Sequence, residues 1–364
     1  MAQEPEQFGA NAWLVEELRA QFRADPDTVS DAWRTLFESD APASVHPTPA
    51  APAAPAAPVT PVTPVTPVKA SAAAAAATAP QVGELILGSG AAIVANMTKS
   101  LGVPTATSFR NVPARLLEVN RQVINGYRSR SGQGKVSFTH LIGYAVVRAI
   151  ADAVPNMNNG FIEGTDGKPR LVRREHIELG LAVDVDKGAG ARTLVVPVLR
   201  DTDTLDFARF LEAYEALIRK VRANKLVVAD FLGATVTLTN PGTIGTVQSV
   251  PRLMPGQGVI VGVGAIDYPA EFQGADASAL AEMGVSKVVT ITSTYDHRII
   301  QGAESGLFLK RVHELLLGEH GFYDAVFRSL GVPYEAVRWA QDISPLNREE
   351  ALLRKQMSVS TLVR

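Results

Sequence analysis

The sequence has 364 residues, 46% of them hydrophobic, which suffices for a sizeable core and favours two domains or one large domain with appended segments. The formal net charge of −2 predicts neither a nucleic-acid-binding surface nor attraction to an acidic membrane. There are no cysteines, which excludes disulfides, thiolate metal sites and a cysteine nucleophile. Since no signal-peptide pattern or bilayer-length apolar run is found, we expect a cytoplasmic protein that binds neither membrane nor nucleic acid.

Residues 1–40 are predicted to form a short helical segment. Large apolar side chains recur there at helical spacing in two stretches, namely Trp13, Leu14, Leu18 and Phe22, and then Val29, Trp33 and Phe37. A hairpin of this size cannot bury a core of its own. Its aromatic stripe either holds the hairpin together or docks onto a partner protein, and we predict docking through residues 8–38.

Residues 41–80 are rich in proline and alanine. Proline fixes φ and lacks an N–H donor, so this stretch is incompatible with a helix or a sheet interior and favours extended polyproline II conformations. We interpret it as a disordered, semi-rigid linker.

Residues 81–339 are predicted to form an α/β domain, followed by a tail over 340–364. Extended or strand-like stretches alternate with helical ones, which argues against separate all-α and all-β parts. The predicted helices are 88–101, 114–130, 138–154, 205–226 and 303–318. The predicted extended stretches are 105–114, 177–186, 192–200, 234–240, 258–266 and 287–296.

Among the six histidines in the sequence, His297 is the strongest candidate for a functional residue. It follows directly after a predicted strand, where loops that leave a rigid sheet commonly carry functional groups. A neutral imidazole, with an ordinary pKa near ~6.5, can accept a proton from a thiol or a hydroxyl. His140, inside an apolar helix, is interpreted as structural. No ligand-spaced pair of histidines supports a metal site.

A family resemblance becomes visible when His297 is seen in its segment, TSTYDHRIIQGAESGLFL at 292–309. This segment resembles the DHRxxDG signature of the dihydrolipoamide acyltransferase components of 2-oxo acid dehydrogenase complexes. The stretches 196–210 and 225–246 resemble further segments of that family. Together with FGANAWLVEELRAQF at 8–22 and SVPRLMPGQG at 249–258, the pattern is similar to the actinobacterial multifunctional 2-oxoglutarate dehydrogenase/decarboxylase, in which an acyltransferase-like domain precedes a thiamine-dependent decarboxylase.

The resemblance implies a fold like that of chloramphenicol acetyltransferase, with a mixed central sheet and helices, assembled as a homotrimer with active sites between subunits. It implies acyl transfer, succinyl by family, between dihydrolipoamide and coenzyme A as a substrate, in a 2-oxoglutarate dehydrogenase complex of the tricarboxylic acid cycle. His297 would be the general base. Thr239 would donate its hydroxyl to the oxyanion from the neighbouring subunit.

Four further residues are expected to have supporting roles. Asp296 and Arg298 flank the base and are expected to form a structural ion pair. Asn240 follows Thr239 at the start of a tight turn. Gln301 replaces the aspartate of DHRxxDG, where a glutamine keeps the capacity to hydrogen-bond but loses the charge.

The sequence carries neither a recognisable lipoyl domain nor a thiamine diphosphate motif. We therefore expect the lipoyl group to arrive on another, lipoylated acyltransferase protein, and this chain to bind neither a metal nor thiamine diphosphate. The other components of the complex are expected partners. A different class of function remains open: a catalytically weak, trimeric scaffold of the complex. Free small-molecule acetyl transfer is a weaker alternative, since a free enzyme needs neither hairpin nor linker.

Overall fold

The computed structural model of the protein describes residues 11–39, 83, 86, 89–186 and 192–338. In these ranges the α-helices are α1 (Ala12–Ala24), α2 (Asp31–Ser39), α3 (Ser89–Ser100), α4 (Arg115–Arg130), α5 (Phe138–Asp152), α6 (Phe207–Arg222), α7 (Ala277–Glu282), α8 (Gly302–Leu316) and α9 (Phe322–Ser329). The strands are β1 (Thr105–Pro113), β2 (Gly160–Glu163), β3 (Pro169–Val172), β4 (Leu179–Asp186), β5 (Arg192–Val195), β6 (Val198–Leu199), β7 (Val236–Thr239), β8 (Val259–Val263) and β9 (Val288–Asp296). None of these helices has the length and hydrophobicity needed to cross a bilayer.

Seven strands form one mixed sheet in the order β1-β9-β8-β7-β4-β5, with β6 also paired to β4. Strands β4, β7 and β8 run parallel to one another, and the other neighbours pair antiparallel. Strands β5 and β6 form one sheet edge, interrupted at Val196 and Pro197, because proline has no N–H to give to a ladder. The predicted α/β class with a mixed central sheet is confirmed.

The two faces of the sheet differ in chemistry, as the alternation along β9 shows. Val289, Ile291 and Tyr295 are buried in the main core together with residues of α4, α5, α6 and α8. The threonines at 290, 292 and 294 alternate with them and are also almost fully buried. Since successive side chains of a strand point to opposite faces, one face is largely apolar and packs on helices, and the other is rich in hydroxyl groups. Ser293 is the polar residue of β9 on the helix side, where it is hydrogen-bonded to Ser305 of α8.

All the helices and extended stretches predicted within 89–186 and 192–338 are confirmed. The structure adds three elements that the patterns did not predict, namely the β2–β3 hairpin, the short α7 and the terminal α9. The strands of the hairpin have only four residues each and are largely exposed, so they lack a clear hydrophobic alternation. The predicted linker over 41–80 and the tail over 340–364 lie outside the described residues, and the domain boundaries stay predictions.

The aromatic stripe of the N-terminal helices packs against the sheet edge of the same chain. Trp33 and Phe37 are buried in a cluster with Val195 of β5 and with Phe231. The rings of Trp33 and Phe231 have centroids 6.3 Å apart. The hairpin cannot bury its aromatic side chains by itself, and the sheet edge provides the apolar surface that buries them. The predicted docking of residues 8–38 onto a partner stays a prediction, and a partner would have to use the outer side of the two helices.

Asn11, immediately before α1, ties the helices to the edge by hydrogen bonds. Its side-chain oxygen accepts the N–H of Val196 at 2.8 Å, and its amide donates to the carbonyl of Val196 at 2.8 Å. The same amide nitrogen is 3.3 Å from the carbonyl oxygen of Phe231. The asparagine therefore satisfies backbone groups at the break between β5 and β6, where no strand does so.

Trp33→Ala is expected to weaken the docking of α1 and α2 by about 3–5 kcal/mol, because the large buried ring is replaced by a cavity. Hydrogen exchange at the amides of α2 measures the effect as faster exchange, with protection elsewhere in the sheet retained. Glu38→Ala, on the exposed side of α2, is the control and should leave the exchange unchanged. Equal protection of α2 in Trp33→Ala and in the unsubstituted protein would contradict this packing.

His140 is a structural histidine, as predicted, and it caps its own helix. Its Nδ1 accepts the N–H of Ser137 at 3.2 Å, while the Ser137 hydroxyl accepts the N–H of His140. The ring nitrogen Nε2 lies 3.2 Å from a carboxylate oxygen of Glu215 and donates to it. Burial, with a smaller effect of the Arg128 charge, lowers the pKa of His140 to about 4. The neutral form is therefore part of the fold.

The free energy of unfolding should fall as the pH falls from about 6.5 to about 4, by up to about 3 kcal/mol, because of His140. In this window the histidine binds a proton in the unfolded chain but not in the folded one, so acid favours unfolding. Urea unfolding at several pH values in the unsubstituted protein and in His140→Gln isolates the effect. The prediction requires a shallower pH dependence in the variant; parallel curves would exclude it.

Candidate active site

The loop that carries His297 connects β9 to α8. The His297 N–H donates to the carbonyl of Pro104 at 2.9 Å, which ties the loop to the residue before β1. The N–H groups of Ile299 and Ile300 both donate to the carbonyl of Asp296, at 3.2 and 3.0 Å, and form a tight turn. The His297 side chain is exposed at this turn.

The hydrogen bond of the imidazole defines which ring nitrogen is available. Nδ1 of His297 lies 3.1 Å from the carbonyl oxygen of Ile300. A carbonyl only accepts, so Nδ1 must carry the proton in this contact, and in the neutral ring Nε2 then has the free lone pair. The Tyr295 ring packs edge-on against the imidazole at 5.5 Å between centroids. The arrangement is suited to a base that acts through Nε2.

Asp296 and Arg298 form an ion pair on either side of the histidine. The Asp296 carboxylate is fully buried and accepts from Nε and Nη2 of Arg298 at 2.8 and 2.6 Å. It also accepts the backbone N–H of Arg298 at 3.1 Å. The guanidinium carbon lies 3.7 Å from the ring centroid of Phe161, on β2. This pair therefore fixes the turn that carries His297, as expected from a structural ion pair.

Gln301 lies at the start of α8 with its side chain exposed. Its backbone N–H donates to the Glu304 carboxylate at 2.7 Å. The other oxygen of that carboxylate accepts from the Asn156 amide at 2.6 Å. A carboxylate thus holds this end of the loop, although it comes from position 304 and not from 301.

Thr239 ends β7 and lines a cavity of about 1000 Å³ between β4, the start of α5, α6 and the turn that follows β7. Asn240 continues the wall, and its amide donates to the Thr139 hydroxyl at 2.7 Å. His140 and Tyr214 contribute two uncharged polar groups, because burial also raises the pKa of Tyr214, to about 12.

Thr239 and His297 do not meet within one chain. Thr239 is level with Thr292, because both pair with Gly262 of β8. His297 lies five residues further along β9, from 292 to 297, and two strands away. At about 3.3 Å per residue and about 4.8 Å per strand, the separation is about 19 Å. The two candidate residues therefore lie at opposite ends of the strands, two strands apart, and His297 is not part of the lining of the cavity.

Asn156, Phe161 and Glu304 contact the loop, and the sequence patterns did not single them out. Glu304 carried the only local signal, since an acidic residue in the first turn of a helix often accepts the N–H at its start. Asn156 lies in the segment PNMN at 155–158, which resembles a segment of the family, but this did not indicate a contact with the loop. Phe161 carried no signal, because its contact joins distant parts of the chain.

One group of potential metal ligands occurs among the described residues, at the end of α8 and in the turn after it: Glu314, Glu319 and His320. The Glu314 carboxylate already contacts His320 at 2.9 Å and Lys310 at 3.6 Å. These groups compete with a metal ion for the same oxygens.

Enzymes of 2-oxoglutarate metabolism are among the relatives that match most of the chain. The multifunctional 2-oxoglutarate metabolism enzyme of Mycolicibacterium vanbaalenii is 48% identical over 376 residues, which cover 93% of this chain and 30% of the relative. The 2-oxoglutarate dehydrogenase E1/E2 component of Corynebacterium glutamicum is 50% identical over 358 residues, covering 92% of this chain and 29% of the relative. The chain thus spans about 30% of the length of these relatives.

Solved structures share the fold at lower identity. A probable dihydrolipoamide acetyltransferase from Listeria monocytogenes superposes with a TM-score of 0.54 at 24% identity, covering 65% of this chain and 94% of that one. A dihydrolipoamide acetyltransferase from Azotobacter vinelandii, solved to investigate a serine, a histidine and an asparagine in its catalytic mechanism, gives a TM-score of 0.54 at 23% identity, with 74% and 99% coverage.

Family comparison confirms the resemblance seen in the sequence. Residues 7–44 match the 2-oxoglutarate dehydrogenase N-terminus. Residues 85–320, more than half of the chain, match the catalytic domain of the 2-oxoacid dehydrogenase acyltransferases, and the chain belongs to this acyltransferase family.

Proposed function

We propose that the chain transfers a succinyl group from a dihydrolipoamide carried by another protein to coenzyme A, within a 2-oxoglutarate dehydrogenase complex. The observation that carries the proposal is the contact between Nδ1 of His297 and the Ile300 carbonyl, which leaves Nε2 available as a base. Family membership and the 2-oxoglutarate enzymes among the relatives support the reaction class and the acyl group.

The chemistry begins with the thiol of coenzyme A. Nε2 of His297 takes the thiol proton, and the resulting thiolate attacks the carbonyl carbon of the succinyl thioester. The tetrahedral intermediate carries negative charge on oxygen, to which the Thr239 hydroxyl donates a hydrogen bond. Collapse breaks the bond to the dihydrolipoamide sulfur, which receives the proton back from His297. The products are succinyl-coenzyme A and dihydrolipoamide.

Each active site in this proposal lies between two copies of the chain, with His297 from one and Thr239 from the next. The separation of about 19 Å within one chain supports this, because no side-chain movement closes such a distance. A homotrimer provides three such sites by cyclic symmetry.

The Azotobacter structure adds support for the loop. The histidine and the asparagine investigated there are four positions apart, which is the spacing of His297 and Gln301. On this proposal Gln301 acts beside the base as a neutral polar residue, and Asp296, Arg298 and Asn240 hold the two halves of the site in place. The partners are a lipoylated acyltransferase protein and other components of the complex, and the location is the cytoplasm.

His297→Ala and Thr239→Ala should each lower the rate of succinyl transfer, by at least about 10² for the base and by about 10²–10³ for the oxyanion donor. The assay is formation of succinyl-coenzyme A from succinyl-dihydrolipoamide and coenzyme A. Ile162→Ala, in the exposed β2–β3 hairpin, is the matched control. Full activity of His297→Ala would contradict the proposal and favour a scaffold without catalysis.

Co-expression of the two inactive variants, each with its own affinity tag, should restore activity in the doubly tagged assemblies. Each doubly tagged trimer contains both variants, and around its ring only one of the three interfaces combines an intact His297 with an intact Thr239, because each site draws one residue from each of two neighbouring subunits. Recovery of about a third of the wild-type rate is therefore expected. Mixed assemblies as inactive as the single variants would show that the two residues act from the same chain or not together.

A further inference from the structure

The segment Pro155–Phe161 contacts the His297 loop on both sides of the histidine. It consists of a 3-10 turn, Pro155–Asn158, and the first residues of β2. We call this segment the buttress. The buttress is remote in sequence from the loop: Asn156 of the buttress hydrogen-bonds to Glu304, which is 148 positions away.

The first contact acts through the ion pair that flanks the histidine. The Phe161 ring lies under the Arg298 guanidinium at 3.7 Å, a distance typical of a stacked cation–π pair. Arg298 in turn neutralises the fully buried carboxylate of Asp296. A buried carboxylate is stable only with a well-oriented partner, so the ring that restricts Arg298 also restricts the turn between Asp296 and Ile300.

The second contact acts at the other end of the loop, where α8 begins. The Asn156 amide donates to one oxygen of Glu304 at 2.6 Å, while the other oxygen accepts the N–H of Gln301 at 2.7 Å. Gln301 follows Ile300, whose carbonyl holds Nδ1 of His297. The position of this acceptor therefore depends on the link from Asn156 through Glu304.

Close backbone packing makes the buttress a rigid support. A side chain at Gly258 would collide with the carbonyl oxygens of Met157 and Asn159, and a Cβ at Gly160 would lie 2.6 Å from the carbonyl oxygen of Gly256. The carbonyl of Gly258 also accepts the N–H of Asp296 at 3.1 Å. The buttress thus rests directly on the backbone that pairs with the end of β9.

We propose that Asn156 and Phe161 are positioning residues that hold the His297 imidazole in the orientation needed to accept the thiol proton. The inference rests on the proposed function of His297. Neither residue touches the reacting atoms; each acts through one partner, Glu304 or Arg298. Loss of either contact should lower the fraction of molecules in which Nε2 is correctly aimed, while substrate binding is retained.

Phe161→Leu and Asn156→Ala test the two contacts separately. Leucine keeps an apolar side chain but removes the ring, and Asn156 is exposed, so neither change should prevent folding. Each variant is expected to lower kcat about 5–10-fold, with KM for coenzyme A unchanged within about twofold. Phe161→Tyr keeps the stacked ring and should retain activity. Ile162→Ala, next to Phe161 on the opposite side of the hairpin, is the control.

A spectroscopic readout gives the same information without turnover. In protein labelled with ¹⁵N-histidine, the unsubstituted chain should show the His297 ring as the Nδ1–H tautomer, and both variants should show mixed tautomers or a broadened signal. His297→Ala identifies this signal and also sets the rate without the base.

The outcomes separate the two proposals. If His297→Ala is inactive but Phe161→Leu and Asn156→Ala keep the wild-type kcat and tautomer signal, the buttress does not position the base. If His297→Ala is fully active, the proposed function itself is wrong. A rise in KM without a fall in kcat would assign Asn156 and Phe161 to substrate binding and would overturn the positioning role.

Discussion

The burial of the Asp296 charge is the constraint on which the geometry of the candidate site depends. A carboxylate without access to water requires hydrogen-bond donors and a compensating charge, and it receives both from Arg298, through the guanidinium and the backbone N–H. Because Arg298 is only two residues away, satisfying the charge also shapes the turn between them. His297 lies at the centre of that turn, so its orientation follows from the electrostatics of its neighbours.

Local sequence patterns could predict the elements that present the candidate residues. In β9 the threonines at 290, 292 and 294 alternate with apolar side chains except at Ser293, and the strand ends at Asp296 directly before a polar loop, so a strand followed by a surface loop could be predicted. The position of Thr239 at the end of the buried strand β7 could be predicted in the same way. These predictions succeeded because period and composition are properties of a short window.

Contacts between distant segments could not be predicted in the same way. An apolar stripe in the N-terminal helices is visible in the sequence, but the pattern does not say that Val195 and Phe231 cover it. Phe161 looks like an ordinary residue of a short exposed hairpin until Arg298 is found against its ring. At Gln301, too, the local sequence did not predict which group the fold would bring to the loop. The sequence indicated a missing charge, whereas the fold places the Glu304 carboxylate, one helical turn later, on the same stretch of backbone.

The bonds of Asn11 have a consequence for solubility. An unprotected strand at the edge of a sheet offers free N–H and C=O groups to any other extended chain, and this is a common route to aggregation. Here the asparagine occupies the donor and the acceptor of Val196, and the two helices cover the apolar side chains beside them. The proposed activity needs ordered contacts between copies of the chain. The N-terminal segment, which lies outside the acyltransferase match over 85–320, therefore removes part of one sheet edge from disordered contacts.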